Sequence, residues 1–342
     1  MACWAGVQLI LAAPEASKAS DPECPPSTLG AFHAGFLTPP DTFEYPLLTP
    51  DPVPLLLAGR FMPVEFLSDE QVAAYGSFVG EPTLVELERF FYLDDGDRDL
   101  VAKRRSDAHR LGFAVQLGTV RAVGRFLEDP LDVPWAAVEF LAGVLEIADA
   151  SCVKKYLDRP QTAYEHTWEI RDRYGYRNFD DSVVADGFAR FLDGRAWTHA
   201  EGPVALFEHA VSWLRRQRVL LPGVTVLARR VANARDVAEA RLYETVAAAA
   251  KRTDRQLPRR LVELLQVPDG SRMSSLEQLR RSPRRSSGPE MVKALQRADQ
   301  VAAVGAGWVE VDAVPVNRLT VLARTGLGSK ATALARLSEP KR

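Results

Sequence analysis

Apolar positions recur at helical spacing from about residue 68 to the end of the chain. Ser68 and Gln71 form the two halves of a capping box: the serine oxygen serves the N3 amide and the glutamine returns to the cap amide. Thr83 and Glu86 repeat that signal, with Leu84, Leu87 and Phe91 at helical spacing behind it. Leu100, Val101, Leu111, Ala114, Val115, Leu117, Val120, Val123 and Phe126 suit two helices meeting near Ser106. Pro134 opens the next helix as an N1 proline, and Val138, Leu141 and Leu145 form its buried face. Further helices are expected at about 150–158, 161–174, 182–192, 201–217, 225–251, 257–266, 274–281, 288–304, 315–325 and 329–338. Trp308 to Val314 alternates apolar and charged residues and predicts one short extended segment. No βαβ pattern interrupts the series. Short helices separated by Gly, Pro and Ser breaks predict an all-α, multi-helix assembly of two or more helical subdomains.

The first 61 residues break this pattern. Pro14, Pro22, Pro25, Pro26, Pro39, Pro40, Pro46, Pro50, Pro52 and Pro54 fall there, and no period survives for more than a few residues. The apolar run from Ala2 to Ala13 has no Lys or Arg before it, so it makes a poor secretory leader. Residues 1–61 read as a Pro-rich, non-globular leader, and Met62-Pro63-Val64-Glu65-Phe66-Leu67-Ser68-Asp69 reads as a fresh start. The expected divisions are 1–61, a helical domain at 62–179, and a basic helical region at 180–342. A break is expected near Asn178–Asp181 or in Leu221-Pro222-Gly223.

Composition narrows the class. The apolar share of 46% and the charged share of 26% are those of a chain able to bury a core. No stretch reaches ~18 consecutive apolar residues, so no membrane partner is expected. Cys3, Cys24 and Cys152 are too few for a disulfide scaffold. His33, His109, His166, His199 and His209 show no zinc spacing with them. The net charge of −2 hides a division. Residues 1–61 hold 2 basic and 6 acidic groups, 62–214 hold 16 and 27, and 215–342 hold 25 and 12. A basic C-terminal part points to a nucleic-acid or membrane surface, set against the plainer reading of solvated helix faces.

Catalytic patterns fail on inspection. Thr325-Gly326-Leu327-Gly328-Ser329-Lys330 lacks phosphate-loop spacing, and Ala331 stands where the magnesium-binding hydroxyl belongs. A helix end followed by a Ser N-cap accounts for it. Gly305-Ala306-Gly307 follows a helix rather than a strand, which removes a dinucleotide site. His166 and Glu169 share a helix without further ligands. No catalytic residue, metal site or cofactor is expected.

The basic residues are more informative. They occur as Lys103-Arg104-Arg105, Lys154-Lys155, Arg215-Arg216, Arg229-Arg230, Arg259-Arg260, Arg280-Arg281 and Arg284-Arg285. Others mix with aromatic residues between Tyr164 and Arg177. Dispersed cations suit a duplex, where each neutralised phosphate releases counterions, and an arginine fork also fits guanine. The candidate DNA contacts are Arg104, Arg105, Arg110, Arg171, Arg173, Arg177, Arg215, Arg216, Arg229, Arg230, Arg259, Arg260, Arg284 and Arg285. Those near helix ends could instead serve only terminal carbonyls.

Residues 62–342 resemble the N-terminal third of a Tn3-family transposase. The match runs through MPVEFLSDEQVAAYG at 62–76, RLGFAVQLGTVRAVGRFL at 110–127 and DVPWAAVEFLAGVLEI at 132–147. It continues in TAYEHTWEIRDRYGYRNF at 162–179, LPGVTVLARRVANAR at 221–235 and VPDGSRMSSLEQLRRSPRRSSGPEMVKALQRADQV at 267–301. RLTVLARTGLGSKATALARL at 318–337 completes it. With that opening at Met62, residues 1–61 resemble upstream sequence read from an early start codon.

The resemblance implies a bacterial, cytoplasmic, nucleoid-associated chain that recognises terminal inverted repeats in double-stranded DNA. It implies helix-turn-helix-like subdomains with helices in major grooves and flanking arginines on phosphates. The family's metal-dependent DDE core lies downstream of the matched stretch, so this chain is expected to be a truncated, non-catalytic fragment. A homodimer is left open. The rival readings are a helical protein-interaction module and a non-functional gene remnant.

Overall fold

The computed structural model describes residues 66–338 other than Arg284, together with Lys341. The Pro-rich leader, most of the opening at Met62 and the Arg284 site lie outside the described residues. Residues 283–295 fall outside the main compact unit and are described by themselves. The described residues are helical, with no strand among them; one isolated parallel bridge joins Arg177 and Val219.

Both expected capping boxes form. Ser68 and Gln71 start α1 (Asp69–Ala74), and Thr83 and Glu86 start α2 (Leu84–Phe90). A third box escaped the sequence reading: Asp94 and Asp97 exchange the same two bonds at the start of α3 (Asp95–Ala102), with aspartate in place of the usual Glu or Gln.

Helix α4 (Asp107–Val123) is capped by Ser106, as the break there predicted. It ends where Gly124 turns left-handed at φ 80°. Twelve of its 17 residues are buried, so it has almost no polar face and must lie at a centre. Around it pack α2, α3, α5 (Trp135–Val144), a 3-10 helix (Ala150–Asp158) and α6 (Pro160–Tyr174). Two glycines fix how closely these can approach. A Cβ on Gly112 would collide with the Tyr156 ring, and one on Gly118 with the Phe91 ring. Pro134 is the N-cap of α5, one position earlier than expected. The 150–158 segment is helical with 3-10 geometry.

A second core lies between α7 (Ser182–Thr198), α8 (Pro203–Arg216) and α9 (Val224–Thr253). Val184, Phe188 and Leu192 meet Leu206, Ala210 and Leu214, and Leu227, Ala228 and Val231 complete the layer. Phe66, Leu67 and Tyr75 pack here too. The Tyr75 and Phe207 rings are 5.5 Å apart, and the Tyr75 hydroxyl donates to the Pro222 carbonyl at 2.9 Å. The first described helix thus serves the core built by later ones.

The link between α8 and α9 fastens the two cores together. Arg177 and Leu220 amides bond to the Arg218 and Arg177 carbonyls, each at 2.9 Å, and the Leu221 amide reaches the Gly124 carbonyl at 3.0 Å.

Beyond α9 come α10 (Leu257–Glu263), α11 (Ser275–Leu279), α12 (Gly288–Val304), α13 (Val316–Gly328) and α14 (Ala331–Leu334). The Trp308–Val314 expectation fails: Ala306–Trp308 is a 3-10 turn, and Val309 is extended without a strand partner. Alternation alone cannot make a strand when no neighbouring edge offers hydrogen bonds. Ser329 closes α13, and Lys330 rather than the expected serine is the cap of α14.

Candidate nucleic-acid interface

The arginines divide by what already holds them. Arg104 lies over the Phe113 ring at 4.4 Å, and its Nη2 is 2.6 Å from Glu169 Oε2. Only 15% of its side chain is exposed, so it ties α4 to α6. Arg215 donates to the carbonyls of Arg121 and Ala122 at the end of α4, and its guanidinium lies 5.9 Å from the Phe90 ring. Burial, with Arg89 adding to it, lowers the Arg215 pKa. Arg260 reaches Asp254 at 2.6 Å and the Val304 carbonyl at 3.1 Å. For Arg215 and Arg260 the terminal-carbonyl role is therefore occupied. Arg218 and Arg280 do the same work at the ends of α6 and α13.

A second group is lightly held. Arg110 pairs with Asp107 at 3.1 Å and Arg259 with Glu263 at 3.0 Å, both one turn apart on exposed surface. Such pairs contribute about 0.3–0.5 kcal/mol and give way to a better anion. Arg171 stacks on Trp168 at 3.5 Å and stands 3.6 Å from Asp172. Tyr164 meets the same indole edge-on at 5.9 Å, so two exposed rings line α6 with the half-buried Arg171 against them.

The third group is exposed and carries no carboxylate partner among the described residues: Arg105, Arg173, Arg177, Arg216, Arg229, Arg230 and Arg285. Arg173 and Arg177 flank the left-handed Gly175 that ends α6. Arg229 and Arg230 sit on the first two turns of α9, opposite its buried Leu227, Ala228 and Val231. Arg285 belongs to the segment described by itself.

One cationic surface was missed. Where α9 meets α10, Lys251, Arg252, Arg255 and Arg259 line an open groove of about 960 Å³, together with Pro258, Val262, Gln266 and one acid, Glu263. Lys251, Arg252 and Arg255 have no carboxylate partner among the described residues. The doublet reading passed over Lys251-Arg252, and Arg255 and Arg259 follow singly, one in the turn after α9 and one on α10. Four cations within the nine residues 251–259 are the signal that would have found them.

Among the described residues no group of His, Cys, Asp and Glu could hold a metal ion, and no helix is long and apolar enough to cross a membrane. Chemically, the exposed surface carries dispersed guanidinium and ammonium groups on helices and their ends. Such groups hold phosphate through charge and hydrogen bonds.

Residues 66–234 match the family described as a domain of unknown function, DUF4158. The chain is 35% identical over 281 residues to the transposase for transposon gamma-delta of Escherichia coli (strain K12), covering 82% of this chain and 28% of that protein. It is 26% identical over 278 residues to the transposase for transposon Tn1546 of Enterococcus faecium, covering 81% of this chain and 28% of that one. A 76-residue stretch is 49% identical to the transposase for transposon Tn4556 of Streptomyces fradiae, 22% of this chain and 8% of that one. The chain thus spans less than a third of the length of these relatives. On this match the chain belongs to the Tn3-family transposases, as a counterpart of their N-terminal region.

Proposed function

We propose that these residues form the DNA-recognition part of a Tn3-like transposase, which binds duplex DNA at transposon terminal inverted repeats and does not itself carry out strand transfer. The observation that carries this reading is the 281-residue match to a transposase. The seven exposed arginines with no carboxylate partner among the described residues agree with it, since phosphate contacts dominate affinity for duplex DNA.

The reading gives the arginines different tasks. Arg229 and Arg230 hold phosphates on α9, and Arg173 and Arg177 reach the duplex from the end of α6. Arg171, braced on Trp168, presents a fixed fork suited to guanine. The helix pair α7 and α8 meets across 199–202, a spacing that fits a helix-turn-helix-like unit. The two cores, one around α4 and one formed by α7, α8 and α9 with α1 against it, act as two helical subdomains on one DNA substrate in the bacterial cytoplasm.

The test is competition. The purified chain is bound to a labelled duplex carrying the terminal inverted repeat of its own element, then challenged with unlabelled repeat or with a shuffled duplex of equal length. Preferential displacement by the repeat supports recognition; equal displacement by both contradicts it. With magnesium or manganese the chain leaves the repeat intact, and reproducible metal-dependent nicking lost on mutating one of its acids would overturn the non-catalytic reading.

A further inference from the structure

The exposed cations of α9 that have neither a carboxylate nor a ring partner among the described residues collect at its two ends, Arg235 between them being half-buried. Arg229 and Arg230 stand near the start, and Lys251 and Arg252 in the last turn, with Arg255 and Arg259 continuing into the groove against α10. The pairs are 22 residues apart on one unbroken helix. At 3.6 residues per turn that is about 6.1 turns, so both pairs face the same way to within about 40°. At 1.5 Å per residue they are about 33 Å apart. One turn of B-form duplex is ~34 Å.

We propose that α9 is a two-footed phosphate clamp, with Arg229 and Arg230 gripping the duplex at one point and the Lys251, Arg252 and Arg255 groove gripping it one helical turn away. The inference rests on the DNA-recognition reading and adds the contact surface and its spacing. Between the feet, Asp236 and Glu244 are exposed within about 60° of Arg229 around the helix axis, so they repel phosphate and confine contact to the ends. The midway cation Arg241 is engaged elsewhere, its guanidinium lying over the Trp197 ring at 4.0 Å. The groove suits a backbone rather than a small anion because it is open and its cations are spread over three successive pieces of chain: Lys251 and Arg252 on α9, Arg255 in the turn after it and Arg259 on α10.

Lys251 and Arg252 also lie where cations favour a helix C-terminus. Stability and DNA binding must therefore be read separately. The full chain is compared with R229Q/R230Q and with K251Q/R252Q/R255Q, after thermal unfolding shows each folded. Binding is measured against salt on two mixed-sequence hairpin duplexes, one of about 8 base pairs and one of about 20. At ~3.4 Å per pair the shorter is about 27 Å long and cannot reach both feet.

The expected result is a steeper salt slope on the long duplex than on the short one for the natural chain, by about two to three. Either variant should lose that increment, while sharing whatever end effect the short duplex has. R229K/R230K and R252K/R255K keep the charge and should keep the increment, because a point charge suffices for phosphate. An increment that persists in both glutamine variants, or is absent from the natural chain, overturns the clamp while leaving DNA binding standing. Failure of the natural chain to bind either duplex overturns the DNA-recognition reading itself, and the clamp with it.

Discussion

Arg121 grips Asp97 with both arms of its guanidinium: Nη1 stands 2.9 Å from Oδ2 and Nη2 2.9 Å from Oδ1. The Tyr174 hydroxyl donates to Oδ1 as well, so α3, α4 and α6 meet on one carboxylate. Asp97 is 1% exposed and also accepts the Asp94 amide. Burial pushes its pKa up, but hydrogen bonds from Arg121 and Tyr174 more than offset that and leave it below the ordinary carboxylate value.

Removing one partner strands a buried charge. R121M should destabilise the chain by about 3–5 kcal/mol in denaturant unfolding at neutral pH, and adding D97N should recover part of the loss. The stabilisation is present above the unfolded carboxylate pKa of ~3.9 and is lost as pH falls through the lowered folded value. A loss under about 1 kcal/mol for R121M would show that the fork is not a structural tie.

His166 supplies a second pH signature. Its ring lies between Tyr156, whose hydroxyl is 2.8 Å from Nδ1, and the edge of Phe113. Burial, then the charge of Arg104 and nearby His109, lowers its pKa from 6.5 to about 4. The folded state thus keeps His166 neutral where the unfolded chain takes up a proton. Stability contributed by this group is complete above pH ~6.5 and declines as pH falls toward 4, by up to about 3 kcal/mol. Urea titrations of the natural chain and H166Q across that window check it. The same decline in both would mean another group is responsible.

Helical glycines should respond to alanine with opposite signs. At Gly112 and Gly118 a methyl group meets the Tyr156 and Phe91 rings, so each substitution should cost about 1–3 kcal/mol despite better helix propensity. At Gly194, inside α7, an added Cβ meets nothing within 4 Å. G194A should therefore stabilise by up to about 1 kcal/mol. Matching signs at all three sites in thermal unfolding would contradict the packing described around α4.

Legibility varied with how local the cause was. The Ser68 and Thr83 boxes, the Ser106 break and the length of α9 follow from neighbouring residues, and all are present. The Asp94 box was missed because its N3 residue is an aspartate in place of the usual Glu or Gln, and the ion pair of that aspartate with Arg121 is a long-range contact no local rule shows. At Trp308–Val314 the alternation was real, but no partner strand exists among the described residues. Among the arginines, Arg229 and Arg260 look alike in sequence, yet one is exposed and unpartnered while the other is spent on Asp254 and the Val304 carbonyl. That distinction depends on contacts up to 44 residues away, so only the fold could make it.

The central claim is that this helical surface holds duplex DNA through its exposed cations. The most direct measurement is the affinity of the purified chain for a terminal-repeat duplex as salt is raised. The account predicts a linear fall of log affinity with log salt, at about 0.9 per neutralised phosphate, and a slope shallower by up to about two in R229Q/R230Q. No binding at low salt, or an affinity indifferent to salt and to that substitution, would contradict it.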